Sequence, residues 1–289
     1  LPIDVSLKNL NVNSSNLLET DYNLKALFTT NLLGFSGDLN RIKEICDLKG
    51  TVLLEDNCES LGSRLNGRKL GNFGLASTFS FFVGHHLSAI EGGMVCTDNT
   101  ELYKMLVMVR AHGWGRNLDE QSRRELKEKY DIEDFHEPYT FYTLGYNLRP
   151  TEITGFLGCE QIKYIDEMCE KRNQNFLKYE EVASKNPDFQ KINVSHMDFV
   201  SNFAYPLIFK DKETLENYKK IFSGLEIRAI VGGDMTAQPF FKNKNYHCPN
   251  SRHIHSLGFY IPNNPDLTDK EIEITTRLLS GNLTGSYQK

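Results

Sequence analysis

Short apolar runs alternate with amphipathic helical segments over the first 110 residues, and this alternation limits the chain to an α/β architecture with a mainly parallel sheet. Residues 25–33 (KALFTTNLL) form a compact apolar run closed by Gly34, which predicts a buried parallel strand. Residues 38–48 carry Leu39, Ile42, Ile45 and Cys46 at helical spacing and end near Gly50. A second short strand over 51–54 stops at Glu55-Asp56. Two more fall at 77–83 and 93–97, with a helix over 99–110. The chain opens at Leu1 on an apparent strand and without an initiator Met, as a fragment or processed chain would.

From Thr151 the pattern changes. Ile153, Phe156, Leu157, Tyr164, Ile165 and Met168 make an apolar stripe on one long helix. Residues 205–209 read as a strand, 213–222 as a helix, 227–231 as a strand and 268–279 as a closing helix, which predicts a smaller α+β domain. Residues 115–138 are charged and lack apolar periodicity, so a mobile loop or lid is expected there.

With 289 residues, 39% hydrophobic and 25% charged, the chain has enough apolar material for a full core. Its net charge of −5 argues against a general binder of nucleic acid or anionic membranes. No apolar run approaches the length of a membrane span and no signal-peptide pattern is present, so a cytoplasmic protein is expected. Six scattered cysteines without a C-x-x-C pair read as reduced thiols. His247, Cys248, His253 and His255 could each ligate zinc, but their spacing matches no standard finger and Cys248 precedes Pro249 in a polar stretch; no metal is expected.

Several residues point to chemistry. Asp56 ends a parallel strand, where ligands bind in open α/β sheets, although a helix N-cap is the commoner role for an Asp at such a junction. Residues 80–87 read Ser-Phe-Phe-Val-Gly-His-His-Leu, with Glu91-Gly92-Gly93 after them. Gly84 allows close backbone approach, and His85 has the proton affinity to work near neutral pH. His86 reads as structural. Residues 110–116 (RAHGWGR) mix cationic, aromatic and glycine residues after a helix, and a basic helix C-terminus is their plain reading. Gly145-Tyr146-Asn147-Leu148-Arg149 precedes the long helix. Arg149 reads equally as a carboxylate-binding residue or as a salt-bridge partner near the helix start.

The ordered set of Asp56, Ser80, His85 and Glu91-Gly92-Gly93 resembles the sugar-nucleotide aminotransferase family of the DegT/StrS type. That family is built on the aspartate-aminotransferase-like fold (PLP fold type I): a large domain with a mainly parallel sheet and a smaller α+β C-terminal domain. The resemblance implies a cofactor-binding large domain over 1–165, N-terminally incomplete by about a quarter of a full chain, and a small domain over 166–289. In the family a Lys stands at the position of His85 and holds pyridoxal 5'-phosphate covalently. A histidine cannot, so the resemblance implies pyridoxamine 5'-phosphate as a free amine and dehydration in place of transamination. It further implies that Asp56 pairs with the ring nitrogen, Glu59 lies near the ring or its hydroxyl, and Ser80 meets the phosphate. Asn147 would reach the phosphate of a neighbouring subunit, implying a homodimer.

Residues 110–116 resemble the branch that 3-dehydrates the nucleotide sugar GDP-4-keto-6-deoxymannose in deoxysugar (colitose, O-antigen) biosynthesis, with glutamate as amino donor. There His112 and Arg116 approach the sugar nucleotide, and Arg149 is a candidate for the glutamate carboxylate. A related branch with His for Lys carries an iron–sulfur cluster, but no cysteines lie between Cys96 and Cys159 to hold one. The alternatives are a non-catalytic sugar-nucleotide-binding or dimerisation module, and a pyridoxal-phosphate-dependent sugar aminotransferase, against which the missing Lys counts.

Overall fold

The computed structural model describes residues 1–20, 23–231, 233–241 and 245–281. After a short helix α1 (Ser14–Leu18), the first half builds a four-stranded sheet from β1 (Ala26–Thr30), β2 (Val52–Asp56), β5 (Ala76–Ser80) and β6 (Gly93–Cys96), in that spatial order. A two-stranded ribbon, β3 (Arg64–Leu65) with β4 (Arg68–Lys69), lies between β2 and β5 in the chain. β1, β2 and β5 run parallel and β6 returns antiparallel, so the sheet is mainly parallel as the alternation predicts. Helix α2 (Leu39–Lys49) covers one face, burying Leu39, Ile42, Ile45 and Cys46 against Leu27, Leu53 and Phe73. It ends at Gly50, which takes the left-handed conformation that favours glycine.

The parallel strand expected over 25–33 is present as β1, but it is buried on one face only. Leu27 and Thr29 point into the core, but Phe28 on the opposite face is 58% exposed and lines the cavity described below. Nor does the chain open on a strand: Leu1 to Val5 is irregular, and pairing begins only at Ala26.

Helices α3 (Thr100–Val109) and α4 (Glu120–Lys129) follow. α4 corrects the expected loop over 115–138. Asp119 caps it by accepting the Ser122 N–H at 2.9 Å, and Glu120 pairs with Arg124 at 2.8 Å. The segment lacks apolar periodicity because, of helix α4, only Leu126 packs on the Val107–Met108–Leu118 cluster. The long helix predicted from Thr151 is two helices, α5 (Glu152–Gln161) and α6 (Ile165–Ala183), joined by a single 3-10 turn, Ile162–Tyr164. Its apolar stripe is not buried within this chain: Ile153, Phe156 and Tyr164 are 68%, 65% and 56% exposed.

The remaining elements are β7 (Ala204–Ile208), α7 (Lys212–Ile221), α8 (Pro249–Leu257), β8 (Gly258–Pro262) and α9 (Asp269–Leu279). β7 and β8 pair antiparallel, and α6 packs against α9 over a second apolar core that includes Tyr179, Ile208, Phe222 and Ile261. Leu10, Leu33 and Phe35 belong to this second core. The strand expected at 227–231 is reduced to one bridge, Arg228 with Tyr260, after which the chain turns towards the cavity described below. α8 corrects the polar loop: Cys248 is its N-cap, and His253 and His255 lie on the helix.

Candidate functional site

The period of two along β2 sends Glu55 and Asp56 to opposite faces. Glu55 is fully buried and accepts the amide N–H groups of Phe73 and Gly74 at 2.6 and 2.9 Å and of Gly71 at 2.9 Å, which fixes the 71–74 turn. Asp56 faces a cavity of about 910 Å³ at the carboxyl ends of β1 and β2. This is the position expected for a ligand site in an open α/β sheet. No helix follows Asp56, so the N-cap role does not arise. Its Oδ1 instead accepts the Cys58 N–H at 3.1 Å and the Thr78 hydroxyl at 3.3 Å, while Oδ2 has no hydrogen bond among the described residues.

Glu59 also lines the cavity and is 7% exposed. One carboxylate oxygen accepts the Leu33 N–H at 2.9 Å. Burial away from water pushes its pKa up to about 7, against the hydrogen bond from Leu33 and with help from the nearby Asp56 charge. Cys58 lies between the two acids, and burial beside Asp56 pushes its thiol up to about 12, so it stays protonated.

His85 reaches the cavity from the turn after β5, held between Phe82 and Phe203 with ring centroids 6.2 and 5.1 Å away. Its Nδ1 is 2.6 Å from the Cys58 carbonyl oxygen. A carbonyl can only accept, so Nδ1 carries the hydrogen and Nε2 is left as the basic nitrogen. The space around Gly84 is open, contrary to the expected close approach; glycine suits this position because φ is +93°. At Gly93 the approach is close, since a Cβ would come within 2.8 Å of the Phe79 carbonyl oxygen.

His86 is buried and places Nε2 3.0 Å from the Ser201 carbonyl oxygen. Burial, together with the Arg172 charge, holds it well below the usual histidine range, so it is a neutral structural residue. Gln161 fastens the same loop from the end of α5: Ser88 N–H donates to its Oε1 at 3.0 Å, and its Nε2 donates to the Ser88 carbonyl.

The other expected site residues lie elsewhere. Ser80 does not line the cavity, and its hydroxyl accepts the Phe82 N–H at 3.2 Å. His112, Arg116, Asn147 and Arg149 form a second group, gathered around Trp114. His112 meets the indole edge-on at 4.8 Å, Arg116 lies 4.0 Å over it and Arg149 lies 5.6 Å from it. Asn147 is exposed and accepts from Arg149 Nε at 3.2 Å. Among the described residues Arg149 makes no salt bridge, so the ion-pair alternative near the helix start is not realised. The helix C-cap alternative is realised, but by Arg110.

Sequence reasoning missed Trp114, Phe82 and Phe203 as site residues. The aromatic and glycine content of 110–116 signalled the first; Phe203 had no local signal. All six cysteines are free, and among the described residues no cluster of three His, Cys, Asp or Glu side chains could hold a metal. No helix among them is long and apolar enough to cross a membrane.

Residues 1–279 match the model of the DegT/DnrJ/EryC1/StrS aminotransferase family. The chain belongs to that family. Among family relatives, the GDP-4-keto-6-deoxy-D-mannose 3-dehydratase of Yersinia pseudotuberculosis is 38% identical over 248 residues, covering 84% of this chain and 61% of the relative. The chain thus spans about 61% of the length of that curated relative. The fold agrees. The Escherichia coli GDP-4-keto-6-deoxy-D-mannose-3-dehydratase with bound hydrated PLP superposes with a TM-score of 0.81 at 31% identity, over 96% of this chain and 73% of that one. A GDP-4-keto-6-deoxymannose-3-dehydratase with a trapped PLP-glutamate geminal diamine gives 0.82 at 31% identity, with the same coverage. The architecture is therefore the aspartate-aminotransferase-like fold that the motifs imply.

Proposed function

We propose that the chain carries out the 3-dehydration of a nucleotide-linked 4-keto-6-deoxyhexose, GDP-4-keto-6-deoxymannose, with pyridoxamine 5'-phosphate as cofactor and glutamate as amino donor. The observation that carries this reading is His85 on the cavity wall beside Asp56 and Glu59, with no lysine lining the cavity among the described residues. Relatives named for this reaction, one solved with hydrated PLP and one with a PLP-glutamate adduct, support it.

The cavity residues fit such a cofactor. Asp56 Oδ2 has no hydrogen bond among the described residues, and a carboxylate there would favour a protonated ring nitrogen. When bound, the cofactor supplies an amine to condense with the sugar ketone and a ring that accepts electrons. His85 takes and returns a proton at Nε2, since Nδ1 is committed to the Cys58 carbonyl. Phe82 and Phe203 lie against the imidazole and limit its rotation. Glu59, with its pKa raised to about 7, can in its protonated form donate a hydrogen bond into the cavity.

Residues 1–165 serve in this reading as the cofactor-binding part and 166–289 as the small domain, although Leu10, Leu33 and Phe35 of the first part pack into the core of the second. The exposed apolar face of α5, with the exposed Asn147 preceding it, supports a homodimer in which Asn147 serves the partner's cofactor phosphate. His112 and Arg116 contact the sugar nucleotide, and Arg149 the glutamate carboxylate.

The test is incubation of GDP-4-keto-6-deoxymannose and glutamate with the protein and pyridoxamine phosphate, with products identified by mass and NMR. A 3-deoxy-4-keto sugar with 2-oxoglutarate and ammonia is expected, and His85→Asn lowers its formation by about a hundredfold or more. A 4-amino sugar retaining its C3 oxygen would instead mean an aminotransferase. Ser80 and Asn147 lying off this chain's cavity favours one second reading, a non-catalytic sugar-nucleotide module, whose mark is binding without turnover.

A further inference from the structure

The Arg116 guanidinium is held on both faces. It lies 4.0 Å from the Trp114 ring and 4.3 Å from the Tyr139 ring, and its Nε donates to the Pro138 carbonyl. Pro138 and Tyr139 lie in one 3-10 turn, Glu137–Tyr139, so two of the three contacts that seat Arg116 depend on where that turn sits. The turn is pinned by its own first residue. Glu137 is buried, and Arg123 on α4 grips its carboxylate through two parallel hydrogen bonds, Nε to Oε1 at 2.9 Å and Nη2 to Oε2 at 2.7 Å. This fork geometry resists rotation as well as separation. What remains of Arg116 is an edge: its Nη2 is buried and has no hydrogen-bond partner among the described residues, as is true of the Trp114 indole N–H. Two unpaired donors, one of them cationic, call for an acceptor, and an anionic oxygen supplies it best.

We propose that the Arg123–Glu137 pair is a positioning element, which holds the Glu137–Tyr139 turn against Arg116 and so fixes the guanidinium for contact with the diphosphate of a nucleoside diphosphate. The proposal rests on the reading of Arg116 as a sugar-nucleotide contact. The physical gain is preorganisation: an arginine already sandwiched between two rings loses little rotamer freedom when the ligand arrives.

Trp114 is the sole tryptophan of the chain, so its emission reports the stack directly. In the full chain, fluorescence with iodide quenching is measured without ligand, and GDP affinity by calorimetry, for wild type, Arg116→Ala, Glu137→Gln, the Arg116→Ala/Glu137→Gln double variant and the charge-reversed pair Arg123→Glu/Glu137→Arg. Glu137→Gln is expected to change Trp114 emission in the same direction as Arg116→Ala. Arg116→Ala should weaken GDP binding about tenfold to a hundredfold and Glu137→Gln about threefold to tenfold. The double variant should bind no worse than Arg116→Ala alone, because both act through one side chain. The charge-reversed pair should regain emission and affinity, which a general loss of folding would not allow. Unchanged emission in Glu137→Gln overturns the positioning role. Changed emission with unaltered GDP affinity in Arg116→Ala overturns the substrate reading beneath it, and the role falls with it.

Discussion

Glu59→Gln tests the electrostatics of the cavity most directly. Burial raises the Glu59 pKa from 4.5 to about 7, so the folded chain binds this proton more tightly than the unfolded chain does. The stability linked to that proton is fully present below about pH 4.5, and it is lost as the pH rises through about 7. The difference between 4.5 and about 7 corresponds to about 3 kcal/mol, a large part of a typical domain stability. Glutamine keeps the shape and can still accept the Leu33 N–H, but carries no titrating proton. Urea unfolding of both proteins between about pH 4 and pH 8, without cofactor, should therefore show the variant gaining on wild type as the pH rises, by about 3 kcal/mol over the range. Parallel profiles would refute the reasoning. They would mean that water or a rearranged partner solvates the carboxylate in the folded chain, and that Glu59 is ionised at neutral pH.

The imidazole of His85 cannot hold an aldehyde, so borohydride treatment after addition of pyridoxal phosphate should leave residue 85 unmodified by mass spectrometry, whereas His85→Lys should gain a reducible adduct there. A modified residue 85 in the wild-type chain would overturn this reading. Ile153→Glu with Phe156→Glu changes side chains that are 68% and 65% exposed, so thermal stability of the separated chain should shift by less than about 1 kcal/mol while self-association in sedimentation falls. A dimer of unchanged strength would remove α5 from the interface.

Much of the frame was legible because the signals are local. Helix α2 and its glycine end follow from four apolar residues at helical spacing and from Gly50. β2 and β5 follow from short apolar runs, and of the ordered motif Asp56 and His85 line the cavity while Ser80 does not. α4 was not legible, since its stability comes from a capping aspartate and surface ion pairs that leave no hydrophobic period. β8, too, went unread: its apolar residues become a strand only because β7 lies alongside, an encounter between segments some fifty residues apart.

The sequence by itself determined the chemistry of single positions: a histidine where the family's motif has its lysine, an aspartate at a strand end, and apolar periods that oblige a parallel sheet. Those properties reside in a side chain or in the spacing of near neighbours. Only the tertiary structure decided what each position could do. It set the free nitrogen of His85 by bringing the Cys58 carbonyl to 2.6 Å, and it raised Glu59 by closing apolar surroundings over it. It also divided the expected site into a cavity group and a Trp114 group, and left the α5 stripe in solvent. Dielectric surroundings and hydrogen-bond partners are properties of the packed chain, because distant segments supply them only after folding.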